Sequence, residues 1–412
     1  MGERRRLASV RGPDLLSLGS FVILGLPDGM LGTAWPSMRA TFAAPVGDLG
    51  LILLIATAGS VLVTAFVGPL IRRLGVPALL VVAGSVAALG YTGYAVAPGV
   101  GLVLGVSVLL GVSAGLMDAG LNTAVALTGR QRLLNLLHGA YGVGTAVGPL
   151  VVTAAILTGS WRPAYLVQLT LDLILAILWL RHRRRGRART PTAATAARPA
   201  ASAPHPAAGW SRRRYGAVVV VGMSVFFVYT GLEVGAGQWE ASFCRGQLHL
   251  SAGATGLAAF GYWGALTAVR IGLALPRRPL PLRAVVRGGS AIAVLAAAVI
   301  WWQPDVAVTV AGFVVLGGAL AGVFPALIAL TPVRLGEQRA HNVISWQVGA
   351  AAAGGAGLSA VIGLLIGATS LAALGPAITV LAVIVVAAEL ILNRLAPAIW
   401  SPSGIPRPGA PR

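Results

Sequence analysis

The chain has 412 residues, of which 57% are hydrophobic and only 10% are charged, and its formal net charge is +20. This composition lies far from that of a soluble domain, so a lipid bilayer is the expected solvent. The basic residues are all arginine and cluster between apolar stretches, which excludes a nucleic-acid-binding domain. A single cysteine, Cys244, excludes an internal disulfide and a cysteine-rich metal site.

Twelve apolar stretches, each near the about 20 residues that cross a bilayer, predict twelve transmembrane helices. In chain order they are 15–38, 47–71, 77–97, 100–126, 134–158, 163–181, 215–241, 252–275, 284–303, 306–331, 340–367 and 371–395. Residues 181–214 between the sixth and seventh are rich in Ala, Pro, Arg and Thr and predict a disordered cytoplasmic linker. The predicted domains are therefore a six-helix half in 1–180, the linker, and a second six-helix half in 215–412.

Arginine clusters occur at every second connection along the chain, for example at Arg72 and Arg73 and throughout 181–214. The positive-inside rule assigns these connections to the cytoplasm, together with both termini. We therefore expect a multi-pass protein of the cell (inner) membrane, in contact with membrane lipid, with an even number of helices. The first apolar stretch continues well past the length of a signal peptide and predicts a retained helix.

The two halves repeat at a spacing of about 205 to 207 residues, the kind of internal symmetry that marks a duplicated architecture. Asp28 corresponds to Glu233 in the first helix of each half, and Gly50 corresponds to Gly256. The fold class predicted is thus all-α and integral to the membrane, with two pseudo-symmetric halves.

Asp28 lies midway along the first predicted helix, in GLPDGMLGTAWP. Ionisable groups within a bilayer cost about 2.5–3.5 kcal/mol on insertion scales, so each one marks a candidate functional site. Pro27 and Gly29 are expected to loosen the backbone there and let polar groups face a cavity. Asp28 is predicted to bind a proton or the solute; the alternative is that it caps a helix resumed after a break.

Asp118 lies in the fourth helix, with Asn122 one turn later on the same face. A carboxyl group at that depth can gain and lose a proton, so Asp118 is a candidate for proton coupling and Asn122 for solute binding. The alternative is a glycine-rich packing face that contains one buried acid.

Glu233, Gln238 and Trp239 follow one another within YTGLEVGAGQWE in the seventh helix. An acid, an amide and an aromatic ring together can hydrogen-bond hydroxyl groups and stack on the apolar face of a sugar. These three residues are therefore predicted to bind solute. The alternative is a flexible helix whose glutamate pairs with a neighbour, and Glu240 is expected to lie at the membrane interface.

Arg270, in the eighth helix, is either a snorkelling side chain or the partner of an acid such as Asp118 or Glu233. His138, at the start of the fifth helix, suits either a proton relay or a polar contact near a helix end. Asn342 and Trp346 in HNVISWQVG are the candidates from the second half for solute binding.

Asp172 and Glu389 are interpreted as packing or interfacial groups, because their neighbours in sequence are aliphatic. Local signatures of a nucleophile, a phosphate loop or a metal site are missing from the sequence, so we predict a transporter rather than an enzyme, with no cofactor and no metal. Without a nucleotide site, the expected energy source is an ion gradient.

Four segments resemble the major facilitator superfamily, and within it the branch of fucose:proton symporters and sodium-dependent glucose transporters: GLPDGMLGTAWP, GLMDAGLNT, NLLHGAYGVGTAVGP and FFVYTGLEVGAGQW. The resemblance implies that Asp28 and Asp118 match the essential acids of that branch and that sugar binds between the halves. GPLIRRLG, after the second helix, lacks the acid usually found before the arginine in the cytoplasmic signature of the superfamily.

The favoured hypothesis is a secondary active transporter that moves a small polar, sugar-like solute by alternating access, coupled to protons or, since carboxylates bind either ion, to sodium. The first alternative is a proton-driven exporter of drugs or natural products on the same scaffold. The second is a membrane sensor or scaffold whose arginine-rich linker binds anionic lipid or a cytoplasmic partner.

Overall fold

A computed structural model describes residues 12–126, 130–186, 210–275 and 280–396, which are almost entirely helical. The helices are α1 (Gly12–Phe42), α2 (Asp48–Leu74), α3 (Val76–Val96), α4 (Val100–Ala126), α5 (Gln131–Leu157), α6 (Arg162–Gly186), α7 (Arg212–Gly246), α8 (Ala252–Ala274), α9 (Leu282–Trp302), α10 (Val306–Leu320), α11 (Val323–Leu335), α12 (Glu337–Ala368) and α13 (Leu374–Leu395). The predicted all-α membrane fold is confirmed, and its helix boundaries fall within a few residues of those expected.

Two details differ from the predicted twelve helices. The tenth is interrupted at Ala321 and Gly322, so that α10 and α11 together make one membrane-length span, Val306–Leu335. Eleven spans in the described residues are long and apolar enough to cross a bilayer. Ala252–Ala274 is not among these eleven spans.

The ends of the predicted linker are helical. α6 continues to Gly186 and α7 begins at Arg212. Arginine has high helix propensity and, near the end of α6, favourable charge for a helix C-terminus, so the helix extends beyond its apolar residues. Residues 187–209, the centre of the predicted linker, lie outside the described residues.

The described residues form two compact units. Within the described residues, the first comprises 12–126, 130–186 and 240–267, and the second comprises 210–239, 268–275 and 280–396. In the first unit, a core of buried apolar residues joins α1, α3, α4, α5 and α6, including Phe21, Leu80, Met117, Leu137 and Trp179. The predicted division into residues 1–180 and 215–412 stays a prediction.

Glycines bring α1 and α5 into very close contact within the first unit. A Cβ placed on Gly25 or Gly29 would lie 2.1 or 2.0 Å from a backbone oxygen of α5, and one on Gly144 would lie 2.0 Å from the Val22 oxygen of α1. Gly148 completes a second pair of glycines spaced four residues apart. Such small-residue spacing lets membrane helices approach backbone to backbone, and here it sets the position of the side chains described next.

Candidate functional site

A cavity of about 280 Å³ in the first unit collects polar side chains from four helices. Asp28 comes from α1, Ser60 from α2, Asp118 from α4, and His138 and Tyr141 from α5. Phe21, Leu24 and Ala114 complete the lining. The three residues predicted for proton coupling in the first half, Asp28, Asp118 and His138, therefore lie around one cavity.

Asp28 lies in an uninterrupted helix. α1 runs from Gly12 to Phe42 through Pro27, so the alternative that Asp28 caps a resumed helix is wrong. Its side chain is exposed to the cavity and accepts a hydrogen bond from the Tyr141 hydroxyl. Tyr141 reaches Asp28 because its own carbonyl group packs against Gly25, one turn earlier on α1.

Asp118 is also exposed to the cavity, and the Asn122 side-chain amide donates a hydrogen bond to its Oδ1 atom at 2.9 Å. The two side chains lie on the same face of α4, as their one-turn spacing predicted. The other atom of the amide group, Asn122 Oδ1, is buried with no hydrogen-bond partner in the described residues. The His138 ring meets the Phe21 ring edge to face, with centroids 5.9 Å apart, which holds the imidazole at the cavity wall.

A second cavity of about 250 Å³ lies among α1, α2, α3, α4 and α6 and shares Asp28 with the first. Its wall includes Asp172 and Gln168 of α6 together with three tyrosines, Tyr91, Tyr94 and Tyr165. The interpretation of Asp172 as a residue in plain aliphatic surroundings is wrong. Gln168 precedes it by four residues, the helical spacing that places two side chains in contact, and this spacing was the signal in the sequence.

In the second unit, Glu233 and Arg270 form an ion pair with Nη2 and Oε2 3.4 Å apart. The Tyr229 hydroxyl, one turn earlier on α7, contacts the Glu233 carboxylate and lies 2.7 Å from the Leu320 carbonyl oxygen. The Arg270 Nε atom donates to the Ala321 carbonyl oxygen at 3.0 Å. The interruption between α10 and α11 therefore supplies a backbone acceptor for the arginine, and Glu233 is the acid that pairs with Arg270.

The remaining candidates lie in varied surroundings. Gln238 is buried, and Trp239 is buried with its ring nitrogen donating to the Ser359 carbonyl oxygen at 2.9 Å. Asn342 and Trp346, on α12, are exposed in the described structure. The solute-binding role predicted for these four residues stays a prediction.

Two acids outside the predicted site also differ in their surroundings. Glu240, which was expected at the membrane interface, has a fully buried side chain. Glu389 is buried and accepts a hydrogen bond from the Asn393 side-chain amide. Arg334 in turn donates to the Oδ1 atom of Asn393 at 2.8 Å. Pairing of Glu389 within a packed helix agrees with its interpretation as a packing group.

Membrane-length helices with acids lining internal cavities define a membrane protein with polar sites among its helices. The sequence matches the family described as Major Facilitator Superfamily over residues 17–360. The chain belongs to this superfamily of secondary transporters.

Solved structures of the same fold are similar to the chain over nearly its whole length. A D-xylose–proton symporter has a TM-score of 0.72 at 13% identity, covering 94% of this chain and 98% of that one. A bacterial homologue of the human lysosomal transporter Spinster has a TM-score of 0.70 at 14% identity, covering 96% and 99%. The fucose:proton symporter of E. coli has a TM-score of 0.59 at 14% identity, covering 92% and 98%. A search of curated protein sequences found no significant match.

Proposed function

We propose that the protein is a proton-coupled symporter that moves a small polar, sugar-like solute by alternating access. The observation that carries the proposal is the cavity of the first unit, where Asp28, Asp118 and His138 line one space together with Tyr141. Carboxyl groups and an imidazole are side chains that can take up and release protons.

The roles divide between the two units. Asp28 and Asp118 carry the coupling proton, and Asn122, which donates to Asp118, hydrogen-bonds the solute. In the second unit, Glu233 binds solute and Arg270 balances its charge. Gln238, Trp239, Asn342 and Trp346 contribute further solute contacts.

The similar structures include two whose names state proton symport of a sugar, the D-xylose–proton symporter and the fucose:proton symporter. Their likeness supports the fold, and the acids around the cavity support the coupling. Sodium is the other ion that carboxylates of this kind could bind, and the experiment below separates the two.

The test is uptake of a panel of radiolabelled sugars into proteoliposomes under an inward proton gradient, a sodium gradient, or neither. We expect accumulation of at least one sugar with the proton gradient, and its loss in Asp118→Asn. The matched control is Asp305→Asn, because Asp305 is an exposed acid that caps α10 and accepts a hydrogen bond from the Val308 amide at 2.9 Å. Asparagine is an equally good capping residue. Failure of every sugar to accumulate would overturn the proposal.

A proton-driven exporter is the second candidate function. The second cavity, of about 250 Å³, favours it. Three tyrosine rings and a mostly apolar wall with one amide, that of Gln168, suit an aromatic or cationic compound. Export predicts proton-driven extrusion of a fluorescent cation from liposomes, with no sugar uptake.

A further inference from the structure

Asp172 and Gln168 form a buried polar pair on α6. Gln168 is 2% exposed and Asp172 is 3% exposed. The Gln168 amide nitrogen donates to the Ile23 carbonyl oxygen at 3.1 Å and to Asp172 Oδ2 at 3.0 Å. Both amide hydrogens are thus used, and a backbone carbonyl can only accept, so the orientation of the amide is fixed. Its oxygen, Oε1, is buried with no partner in the described residues.

No described cation lies within ion-pair distance of Asp172. The helices packed against α6 are α3, α1 and α5. α3 presents the uncharged Tyr91 and Tyr94 to the cavity, and α1 presents a second acid, Asp28. The ionisable cavity residues of α5, His138 and Tyr141, line the other cavity.

Two further ionisable side chains in the first half of α6 have other partners. Tyr165 also lines the cavity, and its hydroxyl donates to the Met38 sulfur at 3.7 Å. Arg162, at the start of α6, donates to the Ala95 and Ala97 carbonyl oxygens, each at 2.8 Å. Its guanidinium therefore binds backbone at the end of α3.

A buried carboxylate without a cation is one of the most costly groups in a protein interior, and a bound proton removes its charge. The cavity beside it provides a path, since about 250 Å³ is room for several water molecules at about 30 Å³ each. The Gln168 oxygen and the two carboxyl groups are partners for such water. Because Asp28 lines both cavities, it connects Asp172 with the cavity that holds Asp118.

We propose that Asp172 is a further proton-binding acid of the first unit, held in place by Gln168 and linked to Asp28 through the cavity between them. This cavity then holds protons at two separated carboxyl groups, that of Asp28 on α1 and that of Asp172 on α6. The inference concerns proton binding alone, so it stands or falls independently of the solute and of the direction of transport.

The test is infrared difference spectroscopy of the purified full-length protein in lipid, recorded as the pH is stepped, without any solute. Protonated carboxyl groups give a carbonyl band that carboxylates lack. We expect Asp172→Asn to lose one component of this band and Asp28→Asn to lose a different one. Asp305→Asn, which changes an exposed acid, should keep the wild-type spectrum. A protonated-carboxyl band in Asp172→Asn equal to that of wild type would overturn the proposal.

A second variant covers the case in which Asp172→Asn does not fold. Gln168→Leu keeps the acid but removes the amide that donates to Oδ2. We expect the band component of Asp172 to remain and to move to higher frequency, because its carbonyl oxygen loses a hydrogen-bond donor. An unchanged band position in Gln168→Leu would mean that the titrating acid is not Asp172.

Discussion

The two units contain corresponding glycines at a close helix contact but surround their acids differently. An offset of 206 residues relates Gly25 to Gly231, Gly29 to Gly235 and Gly148 to Gly354. In the first unit these glycines bring α1 against α5. In the second they lie between α7 and α12, where a Cβ on Gly231 would meet Leu358 at 2.3 Å and one on Gly354 would meet the Phe227 oxygen at 1.9 Å.

The acids on the two glycine-rich helices differ in what holds them. Asp28 is exposed to a cavity and is contacted by Tyr141 from another helix. Glu233 is 15% exposed, has its tyrosine on its own helix, and forms an ion pair with Arg270. The repeated helix contact therefore positions two kinds of acid, one that faces a cavity and one held by a neighbouring cation.

The largest effect that would separate the two acids is expected from Asp28→Asn. Asparagine keeps the size of the side chain but cannot release a proton, so accumulation driven by a proton gradient should be lost completely. Exchange of labelled for unlabelled solute across proteoliposomes should persist, because it requires no net proton movement. Glu233→Gln should instead weaken solute binding and raise KM while retaining gradient-driven accumulation. Equal loss of accumulation in both variants would contradict the distinction.

Substitution of the interface glycines tests the shared part of the comparison. Gly148→Ala would place a Cβ 2.4 Å from the Leu26 oxygen, and Gly354→Ala would place one 1.9 Å from the Phe227 oxygen. Forcing the helices apart should lower the free energy of unfolding by about 1–3 kcal/mol in each case. Denaturant titration in mixed micelles measures this free energy of unfolding.

The same two helices provide matched controls, since a Cβ on Gly139 of α5 or Gly349 of α12 meets nothing within 4 Å. Gly139→Ala and Gly349→Ala should be neutral or stabilising, by at most about 1 kcal/mol, because alanine is the better helix former. If the controls lose as much stability as the interface variants, close packing is not the reason for the glycines.

Much of the fold was predictable from the sequence, because hydropathy and helix length are local properties. The glycine contact between α1 and α5 was only partly predictable from the sequence. The repeat relating Asp28 to Glu233 was visible, but no sequence pattern states that Gly144 and Gly148 face α1 and not another helix. The interruption of the tenth helix at Ala321 and Gly322 was missed, since its residues are as apolar as those on either side.

The site was predictable where neighbours lie on one helix. Asn122 donates to Asp118 at the expected spacing, and Arg270 pairs with one of the two acids proposed for it. Tyr141 was missed as the partner of Asp28 because they are 113 residues apart and meet only through the glycine contact. The surroundings of Asp172 were predictable only in part: Gln168 lies one turn before it on α6, whereas the tyrosines of α3 face it only in the folded chain.

Removing the cation of the second unit should have a smaller effect than the glycine substitutions. Arg270→Gln leaves Glu233 without its ion pair, which in a fully buried site costs about 3–5 kcal/mol. The Arg270 side chain is 30% exposed, so solvent screening should reduce the loss of stability to about 1–2 kcal/mol. The double variant Glu233→Gln/Arg270→Gln should recover part of the lost free energy of unfolding. A double variant as unstable as the sum of the two single ones would show that the pair is not coupled.

The smallest effect is expected from Tyr141→Phe, which removes only the hydroxyl that contacts Asp28. The ring keeps its packing, so the free energy of unfolding should change little. The hydrogen bond that positions Asp28 for transport is worth about 0.5–1.5 kcal/mol. Uptake should therefore fall by at most about tenfold, with gradient-driven accumulation retained. The counterpart, Tyr229→Phe, removes a hydroxyl that also lies 2.7 Å from the Leu320 oxygen, and should lower stability rather than uptake. Reversal of these two outcomes would mean that Asp28, and not Glu233, is the acid fixed by its surroundings.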